Sequence, residues 1–268
     1  MAVVPGWREA PPADFAVIGD PVAHSLSPRM HQAAYDVLGL SWRYVALHVG
    51  VGEVSMALDH LAALGYWGVN VTVPHKAEVL RWAKVVEPFA ARVQAANTVR
   101  IADRSCINTD APGFLDTLRE QGLTSGKVLL LGAGGTARAL ALALSEAGFE
   151  LSIQNRTRER AVEMVRDLGI RATVVDEADP AGCCLILNTT SASLASEALP
   201  VLWPRAGLDT LAYDVVYSAS GTPFLQAALA KGLQTVDGSA MLVAQGARSL
   251  EWWLGVSAPR RAMLEAIL

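Results

Sequence analysis

The most constraining feature of this sequence is a glycine-rich segment that joins an apolar run to a helix-forming run. Val128 to Leu131 are consecutive apolar residues, and the segment Gly-Ala-Gly-Gly-Thr-Ala follows at positions 132–137. The residues after it are mainly alanine and leucine, which favour a helix. A strand, a Gly-x-Gly turn and a helix in this order are typical of α/β domains that bind dinucleotides.

Each small residue in this segment has a physical reason. Gly132 allows the tight turn, Gly134 lets the backbone approach a pyrophosphate, and Ala137 lets helix and strand pack closely. The helix N-terminus then offers free N–H groups and a positive dipole end to phosphates. The segment therefore predicts phosphate binding; the structural alternative is a glycine-rich helix entry without a ligand.

The end of the next strand indicates which dinucleotide is bound. Domains that are selective for NAD usually have Asp or Glu at the end of this strand, where the carboxylate binds the ribose 2′-hydroxyl. This sequence instead has arginines at 156, 158 and 160, in the run Asn-Arg-Thr-Arg-Glu-Arg. Guanidinium groups bind a phosphate bidentately. Solvated charges at a helix start would be acidic rather than basic because of the dipole. We therefore expect NADP(H) rather than NAD.

The composition limits the class of protein. The 268 residues are 52% hydrophobic and 18% charged, which is ample for packed cores. The formal net charge of −4 argues against a nucleic-acid or anionic-membrane surface. Three cysteines without zinc-ligand spacing predict no metal site, and no apolar run reaches membrane-spanning length. Residues 1–12 lack the pattern of a signal peptide, so we expect a cytoplasmic protein.

The chain alternates strand-like and helix-like runs, which predicts an α/β fold with mostly parallel sheets. Predicted strands cover 15–18, 43–49, 68–73, 128–131, 151–154, 172–175, 185–188, 210–215 and 234–236. Predicted helices cover 27–38, 54–64, 112–120, the Ala-rich run that ends at 147, 158–168 and 239–254. The rhythm restarts after 112, which predicts two α/β domains with a boundary there.

Five polar segments follow predicted strands or border the predicted boundary, at 19–28, 70–76, 97–98, 108–110 and 240–247. Taken singly, each has a structural explanation: Ser25 and Ser27 as caps, Asn97 and Asn108 as turn residues, Lys76 as a surface amine. Ligands of α/β folds bind at the carboxyl ends of strands, so their joint placement predicts one binding site.

These segments carry ordered motifs: H-S-L-S-P, N-V-T-V-P-H-K, N-T-D, G-A-G-G, N-R-T-x-x-R, D-V-V-Y and M-L-V-A-Q-G-A. In order and spacing, over essentially the whole chain, the sequence resembles the shikimate dehydrogenase family. The resemblance implies NADPH-dependent reduction of 3-dehydroshikimate to shikimate, on the route to chorismate and the aromatic amino acids. It also implies a mostly parallel α/β substrate domain (1–111 and 239–268), a Rossmann NADP-binding domain (112–238) and an active-site cleft between them.

The resemblance implies a role for individual residues. Lys76 and Asp110 match the catalytic pair, and a Lys–Asp pair suits the reaction because hydride delivery to a ketone leaves an alkoxide that needs a proton and a nearby positive charge. Ser25 and Ser27 match the ligands of the substrate carboxylate. The other substrate-side residues are Asn70, Thr72, Asn97, Tyr217 and Gln245. The cofactor-side residues are Gly132, Ala133, Gly134, Gly135, Thr136, Ala137, Asn155, Arg156, Thr157, Arg160, Thr190 and Met241.

Four positions depart from the family pattern: Ala95, Cys106, Ser193 and Ala219. Ala95 and Cys106 replace no reacting group, so they bear on local backbone geometry. Ser193 stands where the family has a glycine in a loop near the nicotinamide, so its presence is expected to alter loop closure and turnover, and Ala219 replaces a proline. Two alternatives stay open: a quinate/shikimate dehydrogenase or related ring-acid enzyme, and a non-enzymatic NADP-binding regulator on the same fold. The expected partners are small molecules, with no nucleic acid and no membrane, and the expected state is a monomer or homodimer.

Overall fold

In the computed structural model the chain divides into two compact units. Residues 4–190, 192, 197–218 and 221–268 are described. Unit 1 comprises Met1–Gly113 and Leu242–Leu268, and unit 2 comprises Phe114–Met241. These boundaries differ by two or three residues from the predicted ones at 111/112 and 238/239.

Unit 1 contains a six-stranded sheet in the order β2-β1-β3-β5-β6-β4. Its strands are β1 Phe15–Gly19, β2 Tyr44–His48, β3 Gly68–Val71, β4 Val85–Val86, β5 Thr98–Arg100 and β6 Ser105–Ile107. Only β5 is antiparallel to its neighbours; the pairs β1–β2, β1–β3 and β4–β6 are parallel. The prediction of a mostly parallel sheet is confirmed. The helices of this part of the chain are α1 Ser27–Val37, α2 Val54–Ala63, α3 Val79–Trp82, α4 Pro88–Val93 and α5 Asp110–Glu120.

The interior strand β1, which lies between β2 and β3, is buried along its whole length because helices cover both faces of the sheet. Successive side chains of a strand point to opposite faces. Ala16 and Ile18 accordingly join one apolar cluster, which includes Leu58 and Leu61 of α2. Phe15 and Val17 join the other cluster, which includes residues of α1 and of the C-terminal helices.

Unit 2 contains a fully parallel sheet in the order β12-β11-β10-β7-β8-β9. Its strands are β7 Lys127–Leu131, β8 Glu150–Gln154, β9 Ala172–Val175, β10 Leu185–Asn188, β11 Leu211–Asp214 and β12 Gln234–Val236. Its helices are α6 Gly135–Glu146, α7 Arg158–Leu168 and α8 Pro223–Leu229. This strand order is that of the Rossmann fold, in which the order reverses between β7 and β10. The predicted Rossmann domain is confirmed.

The chain then returns to unit 1 through α9 Gly238–Leu254 and α10 Arg260–Glu265. Val243, Ala247 and Leu250 of α9 pack in the same apolar cluster as Phe15. Their spacing is that of one helix face, which explains why this helix is held against the sheet. Within the described residues, no helix is both long enough and apolar enough to cross a membrane.

Candidate active site

The centre of the candidate site is an ion pair between Lys76 and Asp110. Lys76 lies in the turn after β3, and Asp110 is the first residue of α5. Lys76 Nζ donates to Asp110 Oδ2 over 2.7 Å, and the two side chains are 26% and 13% exposed. The positive end of the helix dipole favours a carboxylate at the start of α5. The pair is therefore close enough for a charge-assisted hydrogen bond and still accessible to a small molecule.

Asn97 connects this pair to α9. Its Oδ1 accepts from the backbone N–H of Thr109 over 2.7 Å. Its Nδ2 donates to Asp110 Oδ1 over 2.9 Å and to Gln245 Oε1 over 3.2 Å. A backbone N–H can only donate and a carboxylate can only accept, so these partners fix which way the Asn97 amide faces. The two oxygens of Asp110 thus have separate partners.

Asn70 of β3 lies in a buried polar cluster next to Asn97. Its Oδ1 accepts from the Tyr44 hydroxyl over 2.7 Å. Its Nδ2 lies within hydrogen-bond distance of the Asn97 carbonyl (3.1 Å), Thr98 Oγ1 (3.1 Å) and Ser249 Oγ (3.0 Å). The structure therefore places Asn70 beside Asn97, with its amide engaged by protein groups.

The backbone around the Lys76–Asp110 pair is held by two buried side chains. His75 Nε2 lies 2.7 Å from the Val49 carbonyl, which can only accept, so this nitrogen carries the proton. Asn108 Oδ1 accepts from the N–H of Ala111 over 3.2 Å and so caps the start of α5. This cap explains why α5 begins at Asp110 rather than at the predicted residue 112.

Thr72 directly follows β3, Ser25 lies in the connection between β1 and α1, and Ser27 is the first residue of α1. Ser25 Oγ accepts from the N–H of Ser27 over 3.3 Å, at the start of α1. Thr72 packs against Gly19, where any Cβ would collide with its methyl group. Among the described residues, no hydrogen bond joins these three side chains to Asn97 or to Asp110.

In unit 2 the predicted phosphate loop has a backbone conformation that requires glycine at position 132. Gly132 has φ 112°, and a Cβ there would lie 2.6 Å from Thr189 Oγ1. Gly134 precedes α6 in an extended conformation, and a Cβ on Gly134 or on Gly135 would meet nothing within 4 Å. Gly132 is therefore needed for the fold of the loop, whereas the next two glycines leave an open approach to the N-terminus of α6.

Thr190 lies beside this loop, because a Cβ on Gly132 would also approach its methyl carbon to 3.2 Å. Its hydroxyl donates to Asn188 Oδ1 over 2.7 Å, at the end of β10. Met241 is buried on α9. Tyr217 follows β11 and is 38% exposed; partial burial raises the pKa of its phenol.

The three arginines after β8 differ in their partners. Arg158 donates to Asp176 Oδ1 over 2.8 Å and to the Val174 carbonyl over 3.2 Å. Arg156 and Arg160 are exposed, and neither guanidinium group has a hydrogen-bond or ion-pair partner within the described part of the chain. Asn155 Nδ2 donates to the Thr157 carbonyl over 2.7 Å, which closes the turn before α7. Two unpaired guanidinium groups and the open face of Gly134 fit a phosphate-rich dinucleotide.

The departures from the family pattern have local explanations where they are described. Ala95 does not have the positive φ that would require glycine, and its carbonyl accepts from Asn108 Nδ2 over 3.0 Å. Cys106 is fully buried in β6, and burial raises the pKa of its thiol to about 11. Ser193 and Ala219 lie outside the described residues. The described residues contain no group of His, Cys, Asp or Glu side chains that could hold a metal ion.

Sequence reasoning missed two members of the polar cluster, Tyr44 and Ser249. Thr98 lay in the predicted site segment 97–98 but was given no role of its own. Ser249 follows Gln245 by four residues, which places both on one helix face, so its spacing was a usable signal. Tyr44 had no such signal, because it meets Asn70 only through the pairing of β2 and β3 with β1.

Comparison with known proteins identifies the relatives of this fold and site. Residues 17–99 match the shikimate dehydrogenase substrate binding domain, 117–181 match shikimate / quinate 5-dehydrogenase, and 238–268 match the shikimate 5′-dehydrogenase C-terminal domain. Shikimate dehydrogenase (NADP(+)) of Moorella thermoacetica is 42% identical, over 92% of this chain and 90% of its own.

Two solved structures are similar over almost the whole chain. Shikimate 5-dehydrogenase of Thermus thermophilus, in complex with NADP(H) and shikimate, has a TM-score of 0.87 and 39% identity, over 94% of this chain and 97% of its own. The 5-ketofructose reductase of a Gluconobacter strain has a TM-score of 0.86 and 30% identity, over 94% and 96%. Enzymes with different substrates therefore share this architecture.

Proposed function

This chain belongs to the shikimate dehydrogenase family, and from that premise we propose how its residues carry out the reaction. It is an NADP(H)-dependent oxidoreductase that interconverts 3-dehydroshikimate and shikimate, in aromatic amino acid biosynthesis. The observation that carries the proposal is the Lys76–Asp110 ion pair, hydrogen-bonded to Asn97 within one unit.

Lys76 acts as the proton donor when the ketone is reduced. Bound NADPH supplies the hydride. As the carbonyl oxygen becomes negative, the Lys76 ammonium stabilises it electrostatically and transfers a proton to it from Nζ. Asp110 Oδ2 holds the ammonium in place over 2.7 Å. In the oxidative direction, Lys76 accepts the proton of the hydroxyl group.

The remaining substrate-side residues bind and orient the ring acid. Ser25 and Ser27 bind the carboxylate, and both belong to the turn that opens α1. Asn97 contacts both Gln245 and Asp110, so Asn97 and Gln245 can bind adjacent hydroxyl groups of one ring. Asn70, Thr72 and Tyr217 complete the proposed set.

We propose that residues 112–238 bind NADP(H) and that residues 1–111 and 239–268 bind the substrate, except that Met241 contacts the cofactor and Tyr217 contacts the substrate. Arg156 and Arg160 bind the 2′-phosphate, which their unpaired guanidinium groups support. The N-terminus of α6 binds the pyrophosphate. The other proposed cofactor contacts are Gly132, Ala133, Gly134, Gly135, Thr136, Ala137, Asn155, Thr157, Thr190 and Met241.

We also propose a cytoplasmic location and a monomeric or homodimeric state. The cysteines Cys106, Cys183 and Cys184 are all free thiols, which supports a reducing compartment. Light scattering of the purified protein would distinguish the two oligomeric states.

The function is tested by following absorbance at the nicotinamide band with shikimate or quinate, each offered with NADP⁺ or NAD⁺. We expect the highest kcat/KM for shikimate with NADP⁺. A higher value for quinate would identify a quinate enzyme. Absence of turnover in all four combinations would contradict the proposed reaction and favour a cofactor-binding regulator.

A further inference from the structure

Ser249 lies at the meeting point of four segments of unit 1. Its side chain is fully buried on α9, one helical turn after Gln245. Its Oγ lies 3.0 Å from Asn70 Nδ2, 2.8 Å from Thr98 Oγ1, 3.2 Å from Thr109 Oγ1 and 3.0 Å from the Gln245 carbonyl. One hydroxyl group therefore bridges β3, β5, the residue before α5, and α9.

The direction of these hydrogen bonds follows from the chemistry of the partners. A hydroxyl group has one proton to donate and two lone pairs to accept with. The Gln245 carbonyl can only accept and Asn70 Nδ2 can only donate. With its proton on that carbonyl, Ser249 accepts from Asn70 and from a threonine hydroxyl. The donating and accepting capacity of this hydroxyl is then fully used.

The cluster is connected to the catalytic pair through Asn97. Thr109 Oγ1 lies 3.0 Å from Asn97 Nδ2, the atom that also donates to Asp110. Asn70 Nδ2 donates to the backbone carbonyl of Asn97 over 3.1 Å. Three paths thus lead from Ser249 to Asn97. They run through Thr109, through Asn70 and through Thr98, whose Oγ1 lies 2.8 Å from Ser249 Oγ and 3.4 Å from Asn97 Oδ1.

We propose that Ser249 is a positioning residue of this enzyme. Its hydroxyl group keeps Asn97 and Gln245 in the orientation in which they bind the ring hydroxyls of the substrate. This inference rests on the proposed function, in which those two amides are substrate ligands. Ser249 itself touches no reacting atom; it acts by satisfying the polar groups behind the ligands. A buried donor left without its acceptor is costly, so removing the hydroxyl forces these side chains to reorient.

The test compares Ser249→Ala with Thr98→Val, which removes the hydroxyl on the other side of the 2.8 Å contact while keeping the side-chain shape. Titration calorimetry measures the Kd of shikimate and of NADP⁺ separately, and steady-state kinetics measures both KM values. We expect each variant to raise the Kd and KM of shikimate about tenfold, with the Kd of NADP⁺ within about twofold of the wild-type value. Both changes disrupt the same hydrogen-bond network, so their effects should not add. The Kd of shikimate for the double variant should therefore equal that of the single variant with the higher Kd.

Thr210→Val is the matched control, because Thr210 has a buried hydroxyl that donates to the Cys183 carbonyl over 2.8 Å in unit 2. It should lower the Tm by a similar amount and leave shikimate binding unchanged. An unchanged shikimate Kd in Ser249→Ala, or an equal rise in Thr210→Val, would overturn the inference. If Ser249→Ala does not fold, Ser249→Cys replaces it, because a thiol keeps the size of the side chain but is only a weak donor and acceptor; an unchanged shikimate Kd in Ser249→Cys would likewise overturn the inference. A wild-type enzyme that does not oxidise shikimate would overturn the proposed function and this inference with it.

Discussion

At the residue scale, the Lys76–Asp110 pair is held by hydrogen bonds whose direction is unambiguous. Asp110 accepts from Lys76 at one oxygen and from Asn97 at the other. Rotation of the carboxylate would break both bonds at once, so the position of the Lys76 ammonium depends on Asn97 as well as on Asp110. A lysine held in this way keeps its charge directed at one point, which is what a developing alkoxide requires.

Lys76→Ala should lower kcat by about 10²–10⁴-fold, the usual contribution of a general acid, with a modest change in the KM of shikimate. Steady-state kinetics in the oxidative direction measures both constants. Lys84→Ala is the control, because Lys84 is an exposed lysine of the same unit, and it should leave both constants unchanged. A large rise in KM with kcat retained would mean that Lys76 only binds the substrate.

His31 should make the stability of the fold depend on pH. Its ring is buried, stacks on Tyr44 at 4.3 Å, and has no hydrogen-bond partner at either nitrogen within the described structure. Burial lowers its pKa from 6.5 to about 3. Between pH 6.5 and about 3, His31 is protonated in the unfolded chain and neutral in the folded chain. The free energy of unfolding is therefore unaffected by His31 above pH 6.5 and decreases as the pH falls from 6.5 toward 3.

From this residue alone, the free energy of unfolding should fall by about 1.4 kcal/mol for each pH unit below 6.5. Urea unfolding at pH 7.5, 6.0 and 5.0 measures the slope. His31→Phe keeps a ring against Tyr44 and removes the titrating group, so its slope should be smaller by that amount. Equal slopes in the two proteins would show that His31 does not control the acid sensitivity.

At the element scale, the loop between β7 and α6 should respond differently to alanine at two of its glycines. Gly132→Ala places a Cβ 2.6 Å from Thr189 Oγ1 at a φ of 112°, so it should cost about 1–3 kcal/mol of unfolding free energy and weaken NADP⁺ binding. Gly134→Ala meets no protein atom within 4 Å at a φ of −84°, so it should keep the stability.

Gly134→Ala should still weaken NADP⁺ binding about tenfold or more, because the backbone at this glycine has to approach the pyrophosphate. Urea unfolding and NADP⁺ titration of both variants separate the two effects. If Gly134→Ala bound NADP⁺ like the wild type, the loop would not be the pyrophosphate site.

The segment 155–160, which leads from β8 into α7, should set cofactor preference through two of its three arginines. Replacing Arg156 and Arg160 together with alanine should raise the KM of NADP⁺ about 10²-fold, since hydrogen bonds to charged groups contribute about 1.5–3 kcal/mol each. The KM of NAD⁺ should stay nearly constant. Arg158→Ala is the control, because that side chain is already bonded to Asp176. An unchanged preference in the double variant would refute the assignment.

Long, strongly patterned elements could be predicted from the sequence, and the shortest could not. The run from Val128 through α7 was predicted because apolar strands, glycine spacing and helix periodicity agree over many residues. β5 and β6 were not predicted, because each has only three residues, which is too short to show an alternation of apolar and polar side chains. The pairing of β5 with β3 also depends on residues that are distant in the sequence. For the same reason the motif residues of the site were predicted, whereas the contacts of Tyr44 and Ser249 behind them were not.

At the scale of the whole molecule, the two ligands should protect different parts of the chain. NADP⁺ should slow hydrogen exchange around 132–137 and 154–160, and shikimate should slow it around 25–27 and 70–76. A ligand at a concentration of 100 Kd stabilises the state that binds it by about 2.7 kcal/mol, which is large enough to measure. Exchange mass spectrometry with each ligand alone is the measurement. Protection of 132–137 by shikimate alone would contradict the assignment of sites to units.

The interrupted course of unit 1 has a consequence for the order of synthesis. Its first segment ends at Gly113 and its second begins at Leu242, after the whole of unit 2. Gln245 and Ser249 therefore leave the ribosome only after every strand of both sheets has been made. A nascent chain can form the sheet of unit 2 before α9 has been made, but the proposed substrate site lacks Gln245 until α9 has emerged. A chain truncated before α9 is therefore expected to bind NADP(H) but not to catalyse hydride transfer.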